Sequence, residues 1–345
     1  MELSELTQLN GVSGNEQAVR AAILREAAQC CDRTHVDKMG NLLAFKAGTR
    51  PGSGHVLLLS HMDEVGLMAL GVTDEGLIAY DPVGGIDPRV LVSKRVTVGE
   101  KGIPGVIGAK AIHLQTREER ATPLTHRDLS VDIGAKDKAS AEQLVKPGDY
   151  IALAGDYLAF GEGFVRAKAL DDRVGCYNLL RLMRERFTCD VTYAFTVQEE
   201  VGLRGAGVVA RQVDAARCAL ILEGTTANDL GHVPEHLQVT RAGAGVALSF
   251  MDRTTIAHPG LLRALKACAQ REGIAWQFKQ FVAGGNDAGA VQGAKGPLAV
   301  ASLSVPCRYI HSPSSVCSLM DVEAQYALAR AFLMEGAAFE SEERG

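Results

Sequence analysis

The feature that most constrains this chain is a set of apolar runs of strand length that end in side chains able to bind metal ions. HVLLLS, which starts at His55, is almost continuously apolar, as are strands that are buried on both faces of a parallel sheet. The runs and the residues after them are VLLLS before His61, Asp63 and Glu64, YAFTVQ before Glu199 and Glu200, and ALIL before Glu223. Because the carboxyl ends of parallel strands border one crevice, we expect these side chains to converge.

Two further positions complete a candidate metal site. Asp171, next to Asp172, stands at the predicted start of a helix, and His311 follows the predicted strand PLAVASLSV and its exit VPCRYI. Imidazole together with carboxylate ligands suits zinc, cobalt or manganese better than calcium. Because the set exceeds the needs of one tetrahedral ion, a carboxylate that bridges two ions about 3.5–4 Å apart would use the surplus and activate a shared water. Asp63 can orient the imidazole of His61.

Each candidate ligand also has a purely structural interpretation. A single histidine such as His61 is more often hydrogen-bonded than ligating, and Asp171 could be an acid that favours a helix N-terminus. Glu199 and Glu200 could form a solvated turn. Two carboxylates directly after a buried strand repel each other, however, unless a cation or a shared proton intervenes. Glu223, which follows an apolar run, also needs a partner, and together these points favour the metal site.

The order of the predicted elements indicates an α/β domain that is interrupted by a β-rich insertion. Ser13–Glu16 matches a capping box before the helical spacing of AVRAAILREAAQC. After the strand HVLLLS, short β-rich runs with frequent glycine and proline predict a small all-β unit. From Ala169 onward, strands and helices alternate again. We therefore expect a catalytic domain in two segments, residues 1–67 and 163–345, around an inserted domain of residues 68–162.

Composition and motifs exclude several functional classes. The formal net charge is −5, so no basic surface suggests a nucleic-acid partner. Neither a GxSxG elbow nor a phosphate-binding glycine loop occurs, which argues against serine hydrolases and nucleotide-binding proteins. MELSELTQLN has no basic segment before an apolar core, as a secretory signal would have. The apolar runs are too short for a membrane span. The eight cysteines form no paired CxxC pattern, which argues against a zinc ribbon or a disulfide framework. These features predict a cytoplasmic protein with reduced thiols.

The motifs together resemble one known family, the metallo-aminopeptidases of peptidase clan MH, family forty-two, which includes glutamyl and deblocking aminopeptidases and the tetrahedral TET enzymes. The matching stretches span nearly the whole chain and are specific in combination: GVSGNE, GNL, SHMDEVGLM, GVIGAKAIHL, DIGA, ALDDRVGC, TVQEEVGLRGA, GGNDAGAVQ and VPCRYIHSPSSV. The resemblance implies a mixed-sheet α/β metallopeptidase domain with an inserted small β-barrel-like domain. It further implies hydrolysis of N-terminal residues from peptides, dimers formed through the insertion, and dimers joined into a tetrahedral dodecamer.

The resemblance also implies a role for each candidate residue. The implied ligands of two divalent ions (zinc, cobalt or manganese) are Asp171 as the bridge, His61 and Glu223 at one ion, and Glu200 and His311 at the other. Glu199 would be the general base that takes a proton from the attacking water and passes it to the leaving amine. Asp63 would hold His61 from behind.

Two residues depart from the family pattern, and two alternative functions stay open. Glu223 stands where many members have aspartate, so its extra methylene could alter the spacing of the metal ions or the preference for one metal. Asn286 stands in GGND, where threonine is common. A related amide hydrolase, such as a deacylase or a dipeptidase, would use the same machinery. A catalytically inactive peptide-binding homologue is the second alternative, although the complete ligand set argues against it. A glycosidase needs only a carboxylate pair, without paired histidines.

Overall fold

The computed structural model describes residues 1–213, 215–294 and 298–340, which form 17 strands and nine helices. The first nine strands are β1 (Arg33–Val36), β2 (Leu42–Lys46), β3 (His55–His61), β4 (Gly66–Val72), β5 (Ile78–Val83), β6 (Arg95–Val98), β7 (Ile103–Ala109), β8 (Leu129–Asp132) and β9 (Tyr150–Leu153). The remaining strands are β10 (Leu158–Phe160), β11 (Phe164–Ala167), β12 (Asp190–Thr196), β13 (Cys218–Thr226), β14 (Val246–Ser249), β15 (Trp276–Phe278), β16 (Ala299–Arg308) and β17 (Ser315–Ser318). The helices are α1 (Leu3–Gln8), α2 (Gln17–Cys30), α3 (Arg117–Ala121), α4 (Lys138–Glu142), α5 (Leu170–Leu182), α6 (Arg204–Ala210), α7 (Pro259–Arg271), α8 (Asp287–Ala294) and α9 (Leu319–Met334).

A mixed sheet of 11 strands forms the centre of the fold. Its main path runs β1-β2-β12-β3-β13-β16-β17-β11-β10, and β14 lies off this path between β15 and β16. The central strands β12, β3, β13 and β16 are parallel, whereas β2 and β17 pair with them in antiparallel orientation. The apolar run in β3 is buried on both faces, as predicted, with Val56 and Leu58 in one core cluster and Leu57 and Leu59 in another.

Helices cover both faces of this sheet and produce three layers. Helices α2, α5, α7 and α9 pack on the face that carries Leu58. Helices α6 and α8 pack on the opposite face, which carries Leu59. Because the central strands are enclosed by apolar packing on both sides, their carboxyl ends are held in fixed positions relative to one another.

The segment between β3 and β10 contains a closed antiparallel barrel with the strand order β4-β5-β8-β7-β6-β9. Its interior is a separate apolar cluster that includes Leu67, Ile78, Ile107 and Ile151. The barrel confirms the predicted fold class, an α/β protein with a β-barrel-like insertion. Strand β10 pairs with β11 in the large sheet, beyond the barrel. The division of the chain into domains at the predicted boundaries stays a prediction.

The start of α2 differs from the sequence prediction. Helix α2 follows Glu16 as its N-cap residue, and no side chain caps it by a hydrogen bond. Ser13 instead donates from its hydroxyl to Asp63 Oδ2 at 2.5 Å, and Glu16 Oε1 accepts from the backbone N–H groups of Gly14 and Gln198. The capping-box prediction is wrong because both side chains bind residues beside the candidate site.

Other features of the chain can be compared directly with expectation. The sequence analysis misses α6, α8, β14 and β17, which lack a clear amphipathic pattern of their own. All eight cysteines are free thiols. In the described ranges, no helix combines the length and the apolar character that crossing a membrane requires.

Candidate metal centre

The candidate ligands lie together at the carboxyl ends of the central parallel strands. His61 is the last residue of β3, Glu199 and Glu200 follow β12, and Glu223 lies in the second half of β13. These strands are neighbours in the sheet, so the side chains at their ends face the same crevice. The fold therefore brings these residues together, as predicted.

Asp171 and His311 reach the same crevice from irregular backbone. Asp171 lies in the first turn of α5 but has φ −85° and ψ 109°, outside the helical region. His311 has φ 58°, a left-handed conformation that is uncommon for residues other than glycine. Asp171 is thus not an ordinary acid at a helix N-terminus, because its backbone leaves the helix and its carboxylate lies between two histidines.

Two groups of donor atoms result, and they share Asp171. In the first group, His61 Nε2 lies 3.2 Å from Glu223 Oε1 and 3.3 Å from Asp171 Oδ1. In the second, His311 Nε2 lies 3.3 Å from Glu200 Oε2 and 3.5 Å from Asp171 Oδ2. The three donor atoms of each group lie within 4.8 Å of one another. Burial opposes the charge of both histidines, yet the neighbouring carboxylates raise the pKa of both, that of His311 to about 9.

Glu199 lies beside both groups. Together with His61 and Glu200 it forms a third set of donor atoms within 4.8 Å of one another, and its side chain lines the cleft in front of the site. By distance alone, Glu199 can therefore act either as a ligand or as a base.

Asp63 holds the backbone and one imidazole of this site in place. Its carboxylate is fully buried and accepts from the N–H groups of Glu199 at 3.0 Å and Glu200 at 3.1 Å, and from the Ser13 hydroxyl. Oδ1 also lies 3.4 Å from His61 Nδ1. Burial opposes ionisation of Asp63, but hydrogen bonding and the charge of His61 lower the pKa of its carboxyl below the usual range.

The electrostatics and the polar atoms of the site fit bound divalent cations. Burial raises the pKa of Glu199 and Glu223 well above the usual range and that of Glu200 to about 7. Asp171 Oδ1 and Glu223 Oε2 are buried and accept no hydrogen bond. Buried carboxylates without donors need a compensating positive charge. The mixture of imidazole and carboxylate donors is one that zinc, cobalt and manganese accept.

A cleft of about 560 Å³ opens in front of these residues. Its wall includes the site residues Glu199, Glu200 and His311 and continues along the loop Ala283–Asn286. Asn286, where the family pattern favours threonine, donates to Ser302 Oγ at 3.1 Å and accepts from a backbone N–H at the start of α8. Its amide therefore has partners that fix this loop.

Several buried charged residues near the site are missed by the sequence analysis. Lys168 donates to Glu64, and Arg173 donates to the backbone carbonyl of Met62. Asp287, 1% exposed, accepts from Thr196 Oγ1 at 2.5 Å, and burial raises its pKa to about 6. Glu64 and Asp287 stand inside motifs that the sequence analysis identifies. Arg173 likewise stands inside the motif ALDDRVGC, whereas Lys168 carries no local signal, since its partner Glu64 is distant in sequence.

Comparison with known proteins places this chain in a family. A TET aminopeptidase from a marine sediment archaeon of the Thaumarchaeota superimposes with a TM-score of 0.92 at 31% identity, over 96% of this chain and 94% of that chain. The TET1 peptidase of Pyrococcus horikoshii, described as able to assemble into a tetrahedron or a large octahedral shell, gives a TM-score of 0.85 at 34% identity, over 96% and 98%. The lysyl aminopeptidase of Pyrococcus furiosus is 28% identical over 96% of each chain.

The family comparison covers both the sheet and the barrel. The sequence model of the M42 glutamyl aminopeptidases matches residues 40–328, a range that contains all the candidate ligands. Because the family model matches most of the chain and the shared fold covers 96% of it, this chain belongs to the M42 glutamyl aminopeptidase family.

Proposed function

We propose that this protein is an aminopeptidase that uses two divalent metal ions to hydrolyse N-terminal residues from peptides. The observation that carries the proposal is the pair of donor groups that share Asp171 at the wall of the cleft. Membership of the family supports the reaction class. The paired histidines favour it over a glycosidase, which needs carboxylates alone.

Each donor group is proposed to hold one ion, with His61 and Glu223 at the first, His311 and Glu200 at the second, and Asp171 between them. When bound, the ions would act as Lewis acids on the scissile carbonyl and lower the pKa of a water molecule. Zinc or cobalt suits this donor set, and manganese is a further candidate.

Glu199 is proposed to be the general base. Its carboxylate lines the cleft beside the donor groups, and burial keeps its pKa well above the usual range. A carboxylate with a raised pKa accepts a proton from the attacking water more readily and can return it to the leaving amine. Asp63 would serve this chemistry by fixing the N–H groups of Glu199 and Glu200 and the ring of His61.

We infer that the protein acts in the cytoplasm on peptides and has no nucleic-acid partner. Eight free thiols suit a reducing compartment. The net charge of −5 does not favour binding to a polyanion.

Glu199→Gln and Glu200→Gln form a matched pair that separates the base from the ligand. Glu199→Gln should reduce turnover by at least about a hundredfold, the low end of general-base contributions, while metal content stays unchanged. Glu200→Gln should lose affinity for one ion. Turnover of an aminoacyl p-nitroanilide and metal content by elemental analysis provide the two measurements. If Glu199→Gln keeps normal turnover, or if it alone empties one ion position, the assignment is wrong.

Because Asp171 belongs to both donor groups, substitution of Asp171 should affect the binding of more ions than substitution of Glu223. Asp171→Asn should weaken both ions, since it replaces one of the two oxygens by an amide nitrogen and removes the negative charge that both donor groups share, whereas Glu223→Gln should weaken only the ion at His61. Titration of the metal-free variants with zinc, followed by calorimetry, measures the number of ions bound and their affinities. Glu223→Asp, which restores the residue common in the family, is the control and should retain two ions. Equal loss in the Asp171 and Glu223 variants would contradict a bridging role.

We propose further that the chain forms a homo-oligomer, at least a dimer through the barrel and at most a tetrahedral dodecamer. Exposed apolar side chains on the barrel segment support this, among them Leu70 (54% exposed), Ile112 (68%) and Leu114 (65%). The tetrahedron described for a structural neighbour supports the larger assembly.

Light scattering coupled to size exclusion, with and without metal, should give a mass of at least two chains. The variant Ile112→Ser/Leu114→Ser should shift the mass downwards, and Leu158→Ser, an exposed leucine outside the barrel, is the control. A clean monomer of the wild-type protein at micromolar concentration with metal bound would contradict both assemblies. A stable dimer would contradict only the dodecamer.

A further inference from the structure

The backbone that carries the proposed base leaves the sheet directly after β12. In this base segment (residues 197–200), four consecutive N–H groups donate to side chains that lie far away in sequence. The acceptors are Asn41 Oδ1 for Val197 at 3.0 Å, Glu16 Oε1 for Gln198 at 3.2 Å, and Asp63 Oδ1 and Oδ2 for Glu199 at 3.0 Å and Glu200 at 3.1 Å. Three distant side chains therefore hold the base segment.

The base segment turns at Gln198, the residue directly before the proposed base. Gln198 has φ 56°, a left-handed conformation that is uncommon for residues other than glycine. Such a conformation persists only where the surrounding contacts hold it. The carbonyl of Gln198 accepts from the N–H of Arg204 at 3.1 Å, and its own N–H donates to Glu16. Glu16 is thus one of the contacts that hold this turn.

The N-terminal segment of residues 11–16, which has the sequence GVSGNE, brings Glu16 to the turn. Backbone pairing anchors this segment beside the site, because Ser13 N–H donates to the carbonyl of Glu64 at 3.2 Å and Glu64 N–H donates to that of Gly11 at 2.9 Å. Glu16 itself is only 3% exposed. Burial raises the pKa of its carboxyl, and hydrogen bonds from backbone N–H groups act against that shift.

The position of Glu16 at the start of a helix does not explain its burial. Glu16 is the N-cap residue of α2, yet no side chain caps this helix by a hydrogen bond. Its Oε1 instead accepts from Gly14 N–H at 2.6 Å and from Gln198 N–H, both outside the helix. The carboxyl is therefore directed at the base segment.

We propose that Glu16 is a positioning residue of the reaction, because its carboxyl holds the turn at Gln198 and thereby sets the position of the proposed base, Glu199. This inference rests on the proposed aminopeptidase function and adds a residue to its machinery. Glu16 and Asp63 bind consecutive N–H groups around the base. A displacement of about 1 Å can cost about a hundredfold in rate, so loss of Glu16 should lower turnover.

Glu16→Ala and Glu16→Gln form a matched pair that tests this role on the metal-loaded enzyme. Glu16→Ala removes the acceptor and should lower kcat for an aminoacyl p-nitroanilide about ten- to a hundredfold, while KM and the content of two ions per chain stay near wild type. Glu16→Gln keeps an oxygen that can accept from Gln198 N–H, so it should retain most of the wild-type kcat.

Asp321→Ala is the control for the loss of a buried carboxyl that binds backbone. Asp321 accepts from the N–H groups of Gly243 at 2.6 Å and Gly245 at 2.7 Å, outside the base segment. Its removal should lower the melting temperature but leave kcat per metal-loaded chain near wild type. A loss of kcat as large as that of Glu16→Ala would contradict a specific role of Glu16.

A double-mutant cycle separates positioning from a general loss of structure. If Glu16 acts through Glu199, adding Glu16→Ala to Glu199→Gln should lower kcat no further than about twofold, because residues that act as a unit are not additive. A full additional loss in the double variant would overturn the proposal.

Hydrogen exchange provides a readout that needs no turnover. In Glu16→Ala the amides of residues 197–203 should exchange faster than in wild type, and in Asp321→Ala they should not. Unchanged exchange in Glu16→Ala would show that Glu16 does not hold the turn. If Glu16→Ala does not fold, Glu16→Asp replaces it, since a carboxyl that is one methylene shorter reaches Gln198 poorly and should lower kcat more than Glu16→Gln does.

The possible results separate this inference from the proposed function. Normal kcat in Glu16→Ala, or a loss that excess metal restores, would overturn only the role of Glu16 in placing the base. Failure of the wild-type protein to hydrolyse any aminoacyl substrate, with two ions bound, would overturn the proposed function itself. Hydrogen exchange would still decide whether Glu16 holds the base segment.

Discussion

Repulsion among buried carboxylates at the ends of neighbouring parallel strands is the constraint on which the rest of this site depends. Asp171, Glu199, Glu200 and Glu223 belong to overlapping donor groups, and burial raises the pKa of the three glutamates. Side chains arranged in this way ionise together only when strong positive charge lies among them. Without metal, the two histidines can supply part of that charge as imidazolium ions, whereas divalent cations bound to the neutral imidazoles would supply it in their place. The cluster is therefore best explained by metal binding rather than by stability.

A second cluster of charges, formed by the protein alone, supports the backbone behind the site. Glu64 accepts from Lys168 Nζ at 2.6 and 2.8 Å and from the N–H of Gly11 at 2.9 Å. Arg173 is fully buried and donates from Nε to the carbonyl of Met62 at 3.0 Å. Glu64, Lys168 and Arg173 each lie within a few positions of His61 or Asp171. These contacts connect the end of β3 to the start of α5. Removing one partner of a buried pair leaves an uncompensated charge, which is destabilising.

The parts of the fold and of the site that depend on residues close together in sequence could be predicted, whereas contacts between residues distant in sequence could not. The apolar run of β3 and the glycine-rich β segment are local signals, and they predicted a strand buried in a parallel sheet and a small all-β unit. The barrel-like form of that unit was implied by the family resemblance. His61 and Glu223 were recognisable because they interrupt apolar strands. The hydroxyl of Ser13 was misassigned to a helix cap because its partner, Asp63, is 50 positions away.

The most direct test of this account measures activity against metal content. Protein freed of metal by dialysis against a strong chelator, and verified by elemental analysis, should not hydrolyse a panel of aminoacyl p-nitroanilides. Adding zinc, cobalt or manganese should restore hydrolysis, and activity should saturate when two ions are bound per chain, because each donor group is proposed to hold one. Full aminopeptidase activity in a preparation shown to contain no metal would contradict the central claim.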